Sequence, residues 1–312
     1  MRPHPILAAL RDDDAPQRHA QAHLAAAFDQ WRDGEGDVLA DLPRLALRGE
    51  LTDALALARL FAPGGAASWT QGFIAAMVAG LQAAPLAHVP ARHFTDGVTS
   101  TLLLGRSGPV TLALAAVDGA GWARRAPPTT VSYAPTRHWD VVVAGHGLAE
   151  LITPDGCRML DLAPGVVSQR EGRAQALHLR RVDGCLVWLR LQWRDASGGA
   201  ARVHDRASGA LLRQAAGTMR ESRQMVMLSL LGRMGHGAAA PIMAQMAREH
   251  GPADLRWTAL REGLGLDTQG GFAALVAVAG DAGDPLQPHA AAWRDRLLAQ
   301  YPQLERLMPC PA

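Results

Sequence analysis

Apolar positions recur along this chain with two different periods. From the start to about residue 86 the spacing is helical. His19 to Trp31 is rich in alanine and free of proline and glycine, which favours helix. Leu39 to Leu47 is a short apolar stretch interrupted by Pro43, and Leu51 to Phe61 repeats leucine and alanine every three or four residues before Pro63-Gly64-Gly65 stops it. In Ser68 to Ala84, Phe73, Met77 and Leu81 share one helix face. Pro85 and Pro90 end the pattern.

From about 87 to 217 the period falls to two. Strands are expected at Val98 to Leu104, Pro109 to Val117, Thr129 to Tyr133, His138 to Ala144, Leu148 to Ile152, Cys157 to Leu162, Ala176 to Val182 and Cys185 to Trp193. Turn residues separate them. Gly145-His146-Gly147 reads as a turn, and Asp183-Gly184 reads as a two-residue hairpin loop. Beyond it, Val187, Leu189, Leu191 and Trp193 alternate with Trp188, Arg190, Gln192 and Arg194, as in a half-buried antiparallel strand. From about 219 the helical period returns, in short segments broken by Gly235-His236-Gly237 and Gly251.

The expected fold is therefore α+β: a central antiparallel, jelly-roll-like β-domain over 87–217, an N-terminal helical region over 1–86 and a C-terminal helical region over 218–312. The short helices with glycine breaks over about 220–280 resemble HEAT-like α-hairpins, which implies stacked helix pairs that offer a surface to a partner.

Composition narrows the function classes. The 312 residues are 48% hydrophobic and 19% charged, so the chain can bury a core and is not disordered. All 31 cationic side chains are arginine, since the sequence has no lysine, and lysine-based chemistry is excluded. The net charge of +2 argues against a nucleic-acid binder. Cys157, Cys185 and Cys310 are too few and too far apart for a disulfide scaffold, and the expectation is reduced thiols in a cytoplasmic protein. The apolar run Ile6 to Leu10 is too short for a signal-peptide core, and no stretch is long enough to span a membrane.

One constellation can carry chemistry. His138 and Asp140 form an H-x-D pair on one side of a strand, His178 follows in a later strand, and Arg190 comes twelve residues after it. Two histidines and a carboxylate suit non-haem Fe(II) with open coordination positions, and arginine suits a carboxylate. This order resembles that of the iron- and 2-oxoglutarate-dependent oxygenases. The resemblance implies His138, Asp140 and His178 as metal ligands, Arg190 as the 2-oxoglutarate-binding residue, and a small-molecule or peptide substrate. More loosely, 90–200 resembles a cupin through Pro164-Gly165 followed by His178, although the H-x-H pair of the first cupin motif is missing.

The competing reading is a non-catalytic interaction or scaffold protein with a metal-free β-domain and a protein partner on its C-terminal helices. Under that reading an exposed apolar patch is expected there, at residues such as Met225, Trp257 or Trp293. The methionine cluster at 219, 225, 227, 234, 243 and 246 then has two explanations, core packing or an adaptable groove for a partner helix. The four arginines between Arg170 and Arg181 could meet an anion, but the strand pattern points to an exposed edge or loop.

Overall fold

A computed structural model describes residue 10 and residues 13–195 and 199–307. Cys310, Asp12 and Ile6 to Ala9 lie outside the described residues. The chain is α+β, with an antiparallel β region between N-terminal and C-terminal helices. It divides into two compact units, Met1–Thr129 with Thr136–Asp195, and Thr130–Pro135 with Ala196–Ala312. The sequence pattern suggested three segments, divided at 86/87 and 217/218; contacts group the chain into these two units.

The reason lies in the core of the first unit. Its helices are α1 (Ala15–Gly34), α2 (Gly36–Arg48), α3 (Leu55–Leu60) and α4 (Gly65–Ala83). Their apolar faces cannot be buried by one another alone. Leu24, Phe28, Trp31, Leu45 and Phe73 share one continuous core with Leu112, Trp139, Val141, Leu189 and Leu191 from the strands. Helices and sheet thus fold together. Pro43 does not break α2. The buried Asp41 instead ties α2 to α3, accepting hydrogen bonds from the Ala56 and Leu57 amides at 2.7 and 3.3 Å.

The sheet has seven strands: β1 (His93–Thr95), β2 (Thr99–Ser107), β3 (Val110–Asp118), then, after α5 (Gly119–Ala123) and β4 (Thr130–Tyr133), β5 (Thr136–Thr153), β6 (Gly156–Leu162), β7 (Val167–Glu171) and β8 (Ala176–Arg194), with β4 lying outside it. The order is β1-β2-β3-β8-β5-β6, and β7 also pairs with β5. All pairings are antiparallel.

Two expected turns are absent. Gly145-His146-Gly147 lies inside β5, and Asp183-Gly184 lies inside β8. A hairpin needs its two runs to pair with each other, but both halves of β8 pair with β5. The glycines serve bulges instead. Ala144 pairs with Val187 while His146 pairs with Asp183, and Gly145 and Gly184 absorb the mismatch at φ +82° and +71°. The bulges face each other across the ladder, so both long strands bend at one place. The bent sheet curls around Ala115, Val142, Ala149, Leu162, Leu186 and Trp188, which form a second core on its inner face.

The second unit holds a three-stranded sheet, order β10-β9-β4, from β9 (Ala201–Asp205), β10 (Leu211–Ala215) and β4. Five helices follow: α6 (Met219–Arg233), α7 (Ala240–Arg248), α8 (Ala253–Leu266), α9 (Thr268–Gly280) and α10 (Gln287–Gln300). A capping box between Thr218 and Glu221 starts α6. Phe272, Leu260 and Leu275 centre one core, and Met243, Leu228 and Ala259 another. Since α8 packs on α6, α7 and α9 at once, the helices form a bundle, and the HEAT-like stack expected from sequence is not shown. Among the described residues no helix is long and apolar enough to cross a membrane.

The bulge geometry is testable by substitution. A Cβ at residue 145 would lie 1.9 Å from the Cys185 carbonyl oxygen, whereas one at residue 184 meets nothing within 4 Å. Gly184→Ala should cost about 1–2 kcal/mol, the left-handed backbone penalty alone. Gly145→Ala should cost more than that by roughly 2 kcal/mol or more, because the backbone must also move. Urea unfolding of both variants measures the gap; equal losses would refute the opposed-bulge account.

Candidate functional site

On the inner face of the sheet, β5 lies between β7 and β8. Asp140 pairs with Ser168 of β7 and with Arg190 of β8, and His138 pairs with Arg170 and Gln192. Directly paired residues share a face, so this register collects His138, Asp140, Arg170 and Arg190 in one place. Asp140 is buried, and Arg170 with it. Arg170 Nη2 donates to Asp140 Oδ2 at 2.6 Å. Arg190 Nε donates to Oδ1 at 2.6 Å, and its Nη2 reaches Oδ2 at 3.4 Å. Arg190 keeps about a third of its side chain exposed (30%) and stacks over the Trp188 ring at 5.4 Å.

This is a carboxylate clamped by two guanidiniums. Burial pushes the Asp140 carboxyl up, but Arg190 and Arg170 more than reverse that and hold it below the usual carboxylate range. His138 is affected the other way. Burial first, and the repulsion of Arg170 and Arg190 second, bring its imidazole down to about 3. The cluster therefore holds two cations, one anion and a neutral imidazole at neutral pH, a net charge of +1 in a largely dry place. Several donors there lack a hydrogen-bond partner among the described residues: Arg170 Nε, Trp188 Nε1 and His138 Nδ1, the last free to donate or accept. The other imidazole nitrogen of His138 bonds the Thr136 hydroxyl at 2.9 Å. Beside the cluster, Asp140, Ser168, Trp188, Arg190, Val142 and Leu177 line a cavity of about 20 Å³, room for roughly one water.

The metal triad does not assemble. His178 lies opposite Glu150, ten residues along β5 from Asp140. Its neighbours Leu177 and Leu179 join the inner core, and Leu177 lines the cavity next to Asp140. Strand alternation then turns His178 to the opposite face. Among the described residues no three His, Cys, Asp or Glu side chains are placed to hold a metal ion. The donor set also fails electrostatically: both oxygens of Asp140 are taken by cations, which would repel a divalent ion. Of the three residues expected as ligands of Fe(II), the fold sets His138 and Asp140 side by side and places His178 farther along β5, opposite Glu150. Of the expected residues, the fold brings together His138, Asp140 and Arg190.

The residue the sequence pattern hid is Arg170. Its place in an arginine-rich stretch suggested an exposed edge, but the β5–β7 register turns it inward onto Asp140. Glu150 is a second case, buried and paired with Arg180 at 2.6 Å. Neither position is marked in a single sequence, because strand pairing decides both.

No family model matches this chain, and no curated protein matches its sequence. Among solved structures, a putative mannose-6-phosphate isomerase from Ralstonia eutropha is 16% identical over 34% of this chain and 93% of its own, with a TM-score of 0.27. The oxalate decarboxylase of Lactobacillus farciminis is 12% identical over 33% of this chain and 31% of its own, TM-score 0.27. The capsular polysaccharide assembling protein CapF of Staphylococcus aureus is 9% identical over 41% and 35%, TM-score 0.28. The chain thus spans about a third of the length of the last two. Likeness of this order assigns neither family nor activity to it.

The state of His138 sets a pH dependence. Its folded value of about 3 lies below the unfolded value near 6.5, so between these limits the unfolded chain binds a proton that the native chain does not. Stability should fall as pH drops from 6.5 towards 3, by about 1.4 kcal/mol per pH unit from this group. His138→Gln should flatten that slope in urea unfolding at pH 4.5 to 6.5. An unchanged slope would show that the imidazole is not buried neutral.

Proposed function

We propose that this chain is a cupin-like binding protein whose inner sheet face holds a small carboxylate or similar anion on Arg170 and Arg190, with no metal in the site. One observation carries the reading: two guanidiniums share a single buried carboxylate, leaving one positive charge uncompensated and nearby donors unpartnered. A buried net charge is unfavourable, and an anion would relieve it. The guanidinium fork matches a carboxylate bidentately. The indole of Trp188 would cover the ligand from one side, and its N–H would supply a neutral donor. The neutral His138 can accept or donate at Nδ1 without adding charge.

The free space admits about one water, so an anion of several atoms requires Arg190 to move. Its part-exposed side chain makes it the gate, and the more deeply buried Arg170 the fixed partner. Small dicarboxylates are the best class, 2-oxoglutarate among them, with one carboxylate on the arginines and the other towards solvent. Nothing in the site activates such a ligand: the one imidazole is uncharged, and the one carboxylate is neutralised. The reading is accordingly ligand binding.

Calorimetric titration with acetate, oxalate, malonate and 2-oxoglutarate tests it. Saturable 1:1 binding is expected, tighter for a dicarboxylate than for acetate and weakened at least tenfold in Arg190→Gln. Equal heats in the wild-type and R190Q proteins would reject the site.

A further inference from the structure

Helix α6 is apolar on two faces. Leu228 is buried, and Met225 and Leu231 pack against the same core. At 100° per residue, Met219, Val226, Met227, Leu230 and Met234 fall within one arc on the other side of the helix. All five are more than half exposed. The stripe runs over about 22 Å at 1.5 Å per residue. A groove of about 330 Å³ lies along it, lined by Met225, Val226, Ser229, Leu230 and Arg233. An exposed helix is normally polar on its outer face, so this stripe is out of keeping with a solvated surface.

Arginine predominates among the charges bordering the stripe. Arg220 and Arg233 border the arc on its two sides, and Arg223 lies within it. Among the described residues none of the three makes an ion pair, whereas Glu221, beside them, is committed to the capping box of the helix start. From Met219 to Arg248 the chain carries four arginines, at 220, 223, 233 and 248, against the single acid Glu221. The methionines make the surface adaptable, since an unbranched thioether side chain repacks against differing apolar partners.

We infer that the outer face of α6 is the docking site for an acidic amphipathic helix of another protein. The partner's apolar stripe would lie along Val226, Leu230 and Met234, and its flanking carboxylates would meet Arg220, Arg223 and Arg233. The pairing is helix against helix at about four turns, the length of the stripe. Charge sets the selectivity: a basic helix of equal hydrophobicity faces three like charges, and an acidic one faces three opposite ones. A second copy of this chain would place arginine against arginine if it used the same face, as a two-fold dimer requires.

The test uses the full chain and two labelled 18-residue probe peptides, each with leucines at helical spacing on one face. One is flanked by glutamate and the other by lysine. Fluorescence anisotropy should show saturable binding of the glutamate peptide, at least tenfold weaker binding of the lysine peptide, and weakening with added salt. Leu230→Asp and Val226→Asp should each lose the glutamate peptide by at least tenfold at unchanged melting temperature. The double variant Arg223→Glu, Arg233→Glu leaves the apolar stripe intact, turns the flanking charge from +3 to −1 and should invert the preference, so the inference stays testable if the Asp variants unfold. Equal binding of both peptides, or no loss in any folded variant, would overturn it. So would a concentration-dependent dimer abolished by L230D, or co-sedimentation with phosphatidylserine vesicles without peptide discrimination.

Discussion

A buried carboxylate shared by two guanidiniums fixes the β region of this protein. Asp140 lies on the central strand β5, and its two partners come from the strands on either side, Arg170 from β7 and Arg190 from β8. One side chain thus ties three strands together. A slip of β5 by one residue would turn Asp140 to the other face and leave Arg170 buried without a counter-charge. Desolvation makes such a state expensive, so the register that pairs these groups is strongly favoured over its neighbours. The same register places Trp139, Val141, Leu189 and Leu191 on the opposite face, where the N-terminal helices cover them. Electrostatics on one side of the sheet and apolar burial on the other select the same alignment.

The paired bulges give this alignment its shape. Without Gly145 and Gly184, β5 and β8 would run straight, and Leu177 would lie far from Asp140. Bending both strands at one place brings their distal halves back over the inner face and narrows the pocket beside the ion cluster to about 20 Å³. The low polarity of that pocket makes the extra positive charge of the arginines consequential, since in water it would be screened. The binding reading follows from this combination of a fold that excludes water and a cluster left one negative charge short.

The sequence pattern showed the class of fold well, because periods of 3.6 and 2 are local properties. The helical start, the β centre and the helical end are where the spacing put them, and H-x-D correctly placed His138 and Asp140 on one face. Three readings failed for non-local reasons. Asp183-Gly184 has hairpin chemistry, but pairing of both flanks with β5 turned it into a bulge. His178 alternates with Leu177 and Leu179, which are drawn inward, so it cannot reach Asp140. Arg170 is the more deeply buried of the two partners of Asp140, yet its burial depends on a strand pairing invisible to local spacing. The C-terminal patch was legible only as an excess of methionine. Of the residues expected to form it, Trp257 and Trp293 are partly buried and pack against each other at a tilt, 5.1 Å between ring centres, and Met225 packs inward, so the exposed face is built from other residues of α6.

The central claim is that Asp140 is the counter-ion of Arg170 and Arg190 and not a metal ligand. Urea unfolding of Asp140→Asn in metal-free buffer tests it most directly. Removing the carboxylate charge leaves the buried Arg170 without a counter-ion and repelled by the part-exposed Arg190, and a loss of about 3–5 kcal/mol is expected. A variant as stable as the wild-type protein, or more stable, would contradict the claim, because relief without a metal present is the behaviour of a ligand freed from a site built for a cation.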